Sequence, residues 1–155
     1  MKIIPSISIP IIENGESIIK NLFDIMKNKK VIIFGLPGAF TSTCSEKHLP
    51  GFLKLSQLIK NKGIDEIYCL SVNDPYVMKS WLLNYPDSRK IKCIADGNCE
   101  FSKLIDVAVN KSSTYMGMRC LRFAAIIKDS RIEKFFIENS GELKVSSAEY
   151  IIQQI

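Results

Sequence analysis

Lys30-Val31-Ile32-Ile33-Phe34, followed by Pro37-Gly38-Ala39-Phe40-Thr41-Ser42-Thr43-Cys44 and a helical pattern from Thr43 to Lys60, decides the architecture of this 155-residue chain. The first run is nearly continuous in apolar residues, as expected of a central strand covered on both faces. The helical stretch puts Leu49, Phe52, Leu53, Leu55, Leu58 and Ile59 on one side, the spacing of an amphipathic helix. Working outward, Glu66 to Val72, Lys92 to Ala95, Phe123 to Ile127 and Ile132 to Ile137 also read as strands. Further helical patterns run from Pro75 to Asn84, from Cys99 to Asp106 and from Ser146 to the end. Asn73-Asp74-Pro75 is a helix start, with a capping side chain before proline at the first helical position. Lys128-Asp129-Ser130-Arg131 suits the turn of an antiparallel hairpin. The plan is α/β, a mixed central β-sheet flanked by helices. With no repeat and no linker, residues 1–155 are expected to form a single domain.

Composition narrows the classes. Hydrophobic residues at 46% and charged residues at 24% are ordinary globular values. The net charge of +5 comes from scattered lysines such as Lys27, Lys29, Lys30, Lys60 and Lys62, without interleaved aromatics, so no nucleic-acid partner is expected. The opening segment carries Pro5 and Pro10 and reads poorly as a signal peptide. No stretch approaches the roughly 18 apolar residues of a membrane span. A cytoplasmic, reducing compartment is the expectation, or an organelle if a presequence has been removed. The five cysteines, Cys44, Cys69, Cys93, Cys99 and Cys120, are odd in number and include no Cys-x-x-Cys pair, which argues against a disulfide framework. With His48 the only histidine, neither a metal site nor a cofactor is expected.

Chemistry concentrates at the junction between the first central strand and the long helix, where open α/β sheets place their sites. If Thr41 or Ser42 caps the helix, Cys44 falls in its first turn, where free N–H groups and the helix dipole favour a thiolate. Acidity has a limited yield: a thiol of pKa ~8.5 is about 3% ionised at pH 7, so full ionisation gains at most ~30-fold. Faster chemistry requires donors aimed at the developing charge, each typically contributing roughly 10²–10³ in rate.

Pro37-x-x-x-Thr41-x-x-Cys44, continuing through Ser45-Glu46-Lys47-His48-Leu49-Pro50-Gly51-Phe52, resembles the peroxidatic motif of the type-five peroxiredoxins. Cys69 to Trp81, Ala95-Asp96-Gly97-Asn98 and Gly117-Met118-Arg119-Cys120-Leu121-Arg122-Phe123 resemble successive signatures of the same subgroup, especially its plant and bacterial members. The resemblance implies a thioredoxin-like fold and a thiol-dependent peroxidase acting on hydrogen peroxide and small alkyl hydroperoxides through a sulfenic acid. It implies Cys44 as the peroxidatic cysteine, Thr41 as a donor to thiolate and peroxide, Pro37 as a shield against water and Arg122 as a stabiliser of both, with Phe40 in the apolar wall of the substrate pocket. It also implies a homodimer.

Two departures matter. Ser42 stands where relatives usually have proline, which removes no chemical group. Animal members resolve the sulfenic acid with a cysteine near the C-terminus, and Leu143-Lys144-Val145-Ser146 has none. Cys69, 25 residues beyond Cys44, has the spacing of the resolving cysteine of plant-like members but lies in an apparently central strand. Direct reduction by glutaredoxin with glutathione, or by thioredoxin, is the competing route. Cys93, Cys99 and Cys120 read as structural residues, with exposure near the site the alternative for Cys120. Arg119 either orients the site or pairs with a carboxylate, and His48 reads as a hydrogen-bonded packing residue. Readings of another class, a thioredoxin-fold redox adaptor or a chaperone-like binding protein, lack the first cysteine of a Cys-x-x-Cys or need no reactive thiol.

Overall fold

In the computed structural model, which describes residues 2–155 and only the backbone of Cys44, the run beginning at Lys30 is a central strand of a seven-stranded sheet. The chain opens with β1 (Ser8–Glu13) and β2 (Glu16–Asn21), then α1 (Leu22–Met26) and β3 (Lys30–Gly35). A π-helix over Cys44–His48 leads into α2 (Leu49–Asn61). There follow β4 (Glu66–Ser71), α3 (Pro75–Leu82), β5 (Lys92–Ala95) and α4 (Glu100–Leu104). The short strands β6 (Ala108–Asn110) and β7 (Met118–Cys120) form a separate ribbon. The chain closes with β8 (Phe123–Lys128), β9 (Arg131–Ile137) and α5 (Ala148–Ile152).

The large sheet runs β2-β1-β5-β4-β3-β8-β9, with β3, β4 and β5 parallel and the flanking pairings antiparallel. This is the mixed α/β plan expected from the sequence. Alternation along β3 explains its unbroken apolar run. Ile32 and Phe34 join one buried cluster with Leu49 and Phe52 of α2, Trp81 of α3 and Ile151 of α5. Val31 and Ile33 join the other, with Leu22 and Met26 of α1 and Phe101 of α4. Asp74 caps α3 as expected, its side chain accepting from the Val77 N–H ahead of Pro75. No helix among the described residues is long and apolar enough to cross a membrane.

The structure adds the β1–β2 hairpin, which the strand readings from Lys30 onward leave out. Its two-residue loop is Asn14-Gly15, both at positive φ (51° and 78°), the dipeptide that favours such turns. A tight contact fixes the crossing of β3 and β8 just below the site. A Cβ on Gly35 would lie 2.1 Å from the ring of Phe123, directly opposite in the register. Gly35→Ala should therefore cost about 1–3 kcal/mol or more through overpacking, read as a lowered urea midpoint with an unchanged slope.

Candidate active site

β3 ends at Gly35, and the turn Leu36–Phe40 carries the chain to the helix that starts at Ser42. The turn is pinned from several sides. Leu36 N–H donates to Leu70 O at 3.1 Å. Ala39 N–H donates to the Asn73 side chain at 3.0 Å. Arg119 donates from Nε to Met116 O at 2.9 Å and from Nη1 to Pro37 O at 3.3 Å. Arg119 thus clasps the loop through carbonyl oxygens. A Cβ on Gly38 would lie 2.7 Å from its Nη1, so a side chain there would displace the guanidinium from this position. Phe40, at φ 65° and 56% exposed, is not among the residues lining the cavity below, contrary to the pocket-wall expectation.

Cys44 is the first residue of the π-helix, within the first turns of a helical segment continuous from Ser42 to Asn61. A π-turn in place of α-helix is the correction the structure makes to the sequence reading, and such widened turns are frequent at functional sites. The turn is braced by α3 and the segment after it: Trp81 Nε1–H donates to Ser45 Oγ at 2.9 Å, and Tyr85 O–H to Ser45 O at 2.7 Å. The Thr41 hydroxyl donates to Gly38 O at 2.7 Å, and Thr41 O accepts Ser45 N–H at 2.9 Å. In this rotamer the hydroxyl proton rests on the loop carbonyl, leaving oxygen lone pairs to face outward; donation to a bound oxygen needs a rotation about the C–O bond.

A cavity of about 370 Å³ opens beside this turn. Pro37 and Thr41 to Thr43 form one wall; Val109, Lys111, Met116 and Leu121 form an apolar wall with one cation; Arg122 and residues 138–141 complete it. Three of the residues singled out from the sequence, Pro37, Thr41 and Arg122, therefore meet at one cavity next to the helix start that carries Cys44.

His48 is the hydrogen-bonded packing residue expected from the sequence, and its partners, which the sequence does not reveal, tie it to Arg122. It is 1% exposed, tilted against Phe34 and Phe52. Its Nδ1 lies 2.9 Å from Arg122 Nη1 and its Nε2 2.9 Å from Ser146 O. A guanidinium can only donate, so Nδ1 is the acceptor and Nε2 carries the proton that goes to Ser146. Burial, reinforced by the Arg122 charge, pushes the imidazole pKa down to about 3, so the ring is neutral at physiological pH. Glu138, also buried, accepts through Oε2 from Lys144 N–H, Ser146 N–H and Ser146 Oγ–H at 2.6, 2.9 and 2.7 Å. Burial alone would raise its pKa, but these bonds outweigh it and hold the carboxyl below its ordinary value.

The other thiols are packed away. Cys69 is fully buried in β4, between Phe34 of β3 and Cys93 of β5. Cys120 is buried as well, its Sγ 3.1 Å from Leu36 O, as a structural residue and not as an exposed one near the site. Burial and the Asp96 carboxylate push the Cys99 thiol up, away from activation. No group of three or more His, Cys, Asp or Glu among the described residues is placed to hold a metal ion.

Comparison with known proteins agrees with this geometry. Peroxiredoxin-2B of Arabidopsis thaliana is 41% identical over 143 residues, 92% of this chain and 88% of the relative. Reduced Prx3 from Vibrio vulnificus, crystallised in complex with hydrogen peroxide, superposes with a TM-score of 0.92 at 32% identity, covering 99% of this chain and 96% of that one. The Plasmodium falciparum antioxidant protein, a 1-Cys peroxiredoxin, gives a TM-score of 0.89 at 34% identity over 99% and 95% of the two chains. The architecture shared with these structures is the thioredoxin-like fold. With residues 4–152 matching the Redoxin family, the chain belongs to that family as a peroxiredoxin, a thiol-dependent peroxidase.

Proposed function

We propose that residues 1–155 form one peroxiredoxin domain in which the Cys44 thiolate attacks the terminal oxygen of hydrogen peroxide or a small alkyl hydroperoxide. The S–O bond forms as the O–O bond breaks, leaving Cys44 sulfenic acid and water or an alcohol once the leaving oxygen takes a proton. Arg122 stabilises the thiolate and the negative charge that grows on the leaving oxygen. Thr41 contributes the second polar contact after its hydroxyl rotates from Gly38 O, and Pro37 keeps water from the sulfur. The observation that carries this reading is the meeting of Pro37, Thr41 and Arg122 at one cavity beside the helix start of Cys44. The peroxide complex of the Vibrio vulnificus relative supports it. Phe40 belongs outside this substrate-binding set.

Recycling proceeds by external thiols. Glutathione attacks the sulfenic acid to give a mixed disulfide and water, and glutaredoxin with a second glutathione releases the Cys44 thiol; thioredoxin is the alternative reductant. Burial of Cys69 in a central strand argues against a resolving role, as does the likeness to a 1-Cys peroxiredoxin. We place the enzyme, as a homodimer, in a reducing compartment such as the cytoplasm. Mass spectrometry after one equivalent of peroxide tests the cycle. The expected species is Cys44 sulfenic acid, turning to a mixed disulfide on adding glutathione and to sulfinic acid under excess peroxide. A dominant Cys44–Cys69 bridge formed within the mixing time would overturn the external route.

A further inference from the structure

His48, at the end of the π-turn that begins with Cys44, closes a ring of hydrogen bonds with three residues from elsewhere in the chain. Arg122 Nη1 donates to His48 Nδ1 (2.9 Å). His48 Nε2–H donates to Ser146 O (2.9 Å). Ser146 N–H and Oγ–H donate to Glu138 Oε2 (2.9 and 2.7 Å). The Glu138 N–H returns to Arg122 O (2.9 Å). The bonds run one way round from residue to residue, and at His48 a single imidazole both accepts from Arg122 and donates to Ser146, so the state of one ring nitrogen fixes the other. Ser146 is fully buried, yet residues 138–147 form no helix or strand. The course of this segment therefore depends on side-chain bonds, and the Glu138 carboxylate takes most of them.

We infer that Glu138 is a positioning residue for the peroxidase reaction: it fixes the turn at Lys144–Ser146 so that the Ser146 carbonyl holds His48 in its Nε2–H tautomer, whose Nδ1 lone pair aims Arg122 at the cavity. This rests on the proposed role of Arg122. The tautomer is the critical link. If Ser146 O withdraws, Nε2–H is left buried without an acceptor, and the alternative Nδ1–H form sets a donor against a donor, turning a hold on the guanidinium into a repulsion. Leaving a buried donor unmet shifts such an equilibrium by roughly 5- to 150-fold, enough to repopulate the tautomers.

His48 is the only histidine, so its two ring nitrogens can be read by ¹⁵N NMR without assignment. In the wild type we expect a protonated Nε2 and an unprotonated Nδ1. In Glu138→Ala the two tautomers should mix, and the second-order rate of the reduced protein with hydrogen peroxide should fall about tenfold, part of the loss expected for a misplaced charge-stabilising donor. Alkylation of Cys44 by iodoacetamide should fall clearly less than the peroxide rate, since that reaction shares the thiolate that Arg122 stabilises but has no leaving oxygen for it to hold. Glu138→Gln, which keeps an acceptor oxygen for Ser146, should restore most of the peroxide rate. Should Glu138→Ala fail to fold, Ser146→Ala removes one donor of the ring and should show the same pattern at about threefold, the worth of a single hydrogen bond. A folded Glu138→Ala with unchanged ring spectra, or with shifted tautomers and an unchanged peroxide rate, overturns the inference. Arg122→Met then separates the two failures: a large loss there leaves the role of Arg122 standing and removes only that of Glu138, whereas full activity removes both.

Discussion

Cys44→Ser is expected to reduce peroxide turnover below about 1% of wild type, because a serine hydroxyl at neutral pH supplies no comparable nucleophile. The substitution is close to isosteric. The turn around it is held by bonds that do not involve residue 44: Trp81 and Tyr85 on Ser45, Ser45 N–H on Thr41, Arg122 on His48. Stability should therefore stay within about 0.5 kcal/mol, as for a substitution that disturbs no packing. Peroxide consumption by ferrous-thiocyanate assay and a circular-dichroism melt check both halves. Turnover above a few per cent, in a folded variant, would remove Cys44 from the reaction.

Arg122→Met should slow the reaction with hydrogen peroxide by roughly 10²–10³, the usual loss for one preorganised donor. The same variant should slow iodoacetamide alkylation by no more than ~30-fold, the ceiling set by thiol ionisation at pH 7. The gap between the two rates is the decisive quantity. Both reactions need the thiolate, and only one develops charge on a leaving oxygen. Stopped-flow rates measured at several pH values separate the contributions, since a pure acidity effect vanishes once the thiol is fully ionised. Equal slowing at all pH values would mean that Arg122 does not act on the peroxide.

Much of the architecture is written locally. The unbroken run of β3, the Asp74-Pro75 start of α3 and the β8–β9 turn all follow from neighbours in sequence. The β1–β2 hairpin was equally legible, because Asn14-Gly15 between two Ile-rich segments is a strong turn signal; the prolines at 5 and 10 mask it by lowering the apparent strand propensity. Other features have no local signature. A π-turn differs from an α-turn by the placement of one residue, and here the bonds from Trp81 and Tyr85, 36 and 40 positions away, brace it. The surroundings of His48 come from Arg122 and Ser146, 74 and 98 residues downstream. A lone histidine four places after a cysteine gives no hint of them. Cys120 illustrates the same limit: it reads as a structural residue, but the partner of its thiol, the Leu36 carbonyl 84 positions earlier, is reached only through the pairing with Ala108.

Cys69 sits where β4 is hydrogen-bonded on both sides, to β3 and to β5. Strands in that situation exchange their amide protons last, because exposing them takes something near global opening. Even a stability of only ~5 kcal/mol leaves such an opened state populated at about 2 × 10⁻⁴. An internal thiol held there competes for the oxidised sulfur with that fraction as a multiplier on its rate, a factor that does not apply to a small thiol from solution. On the proposed external route the depth of one strand would act as a kinetic filter: the lifetime of the oxidised enzyme would depend on the concentration of reductant around it and not on the chain's own flexibility.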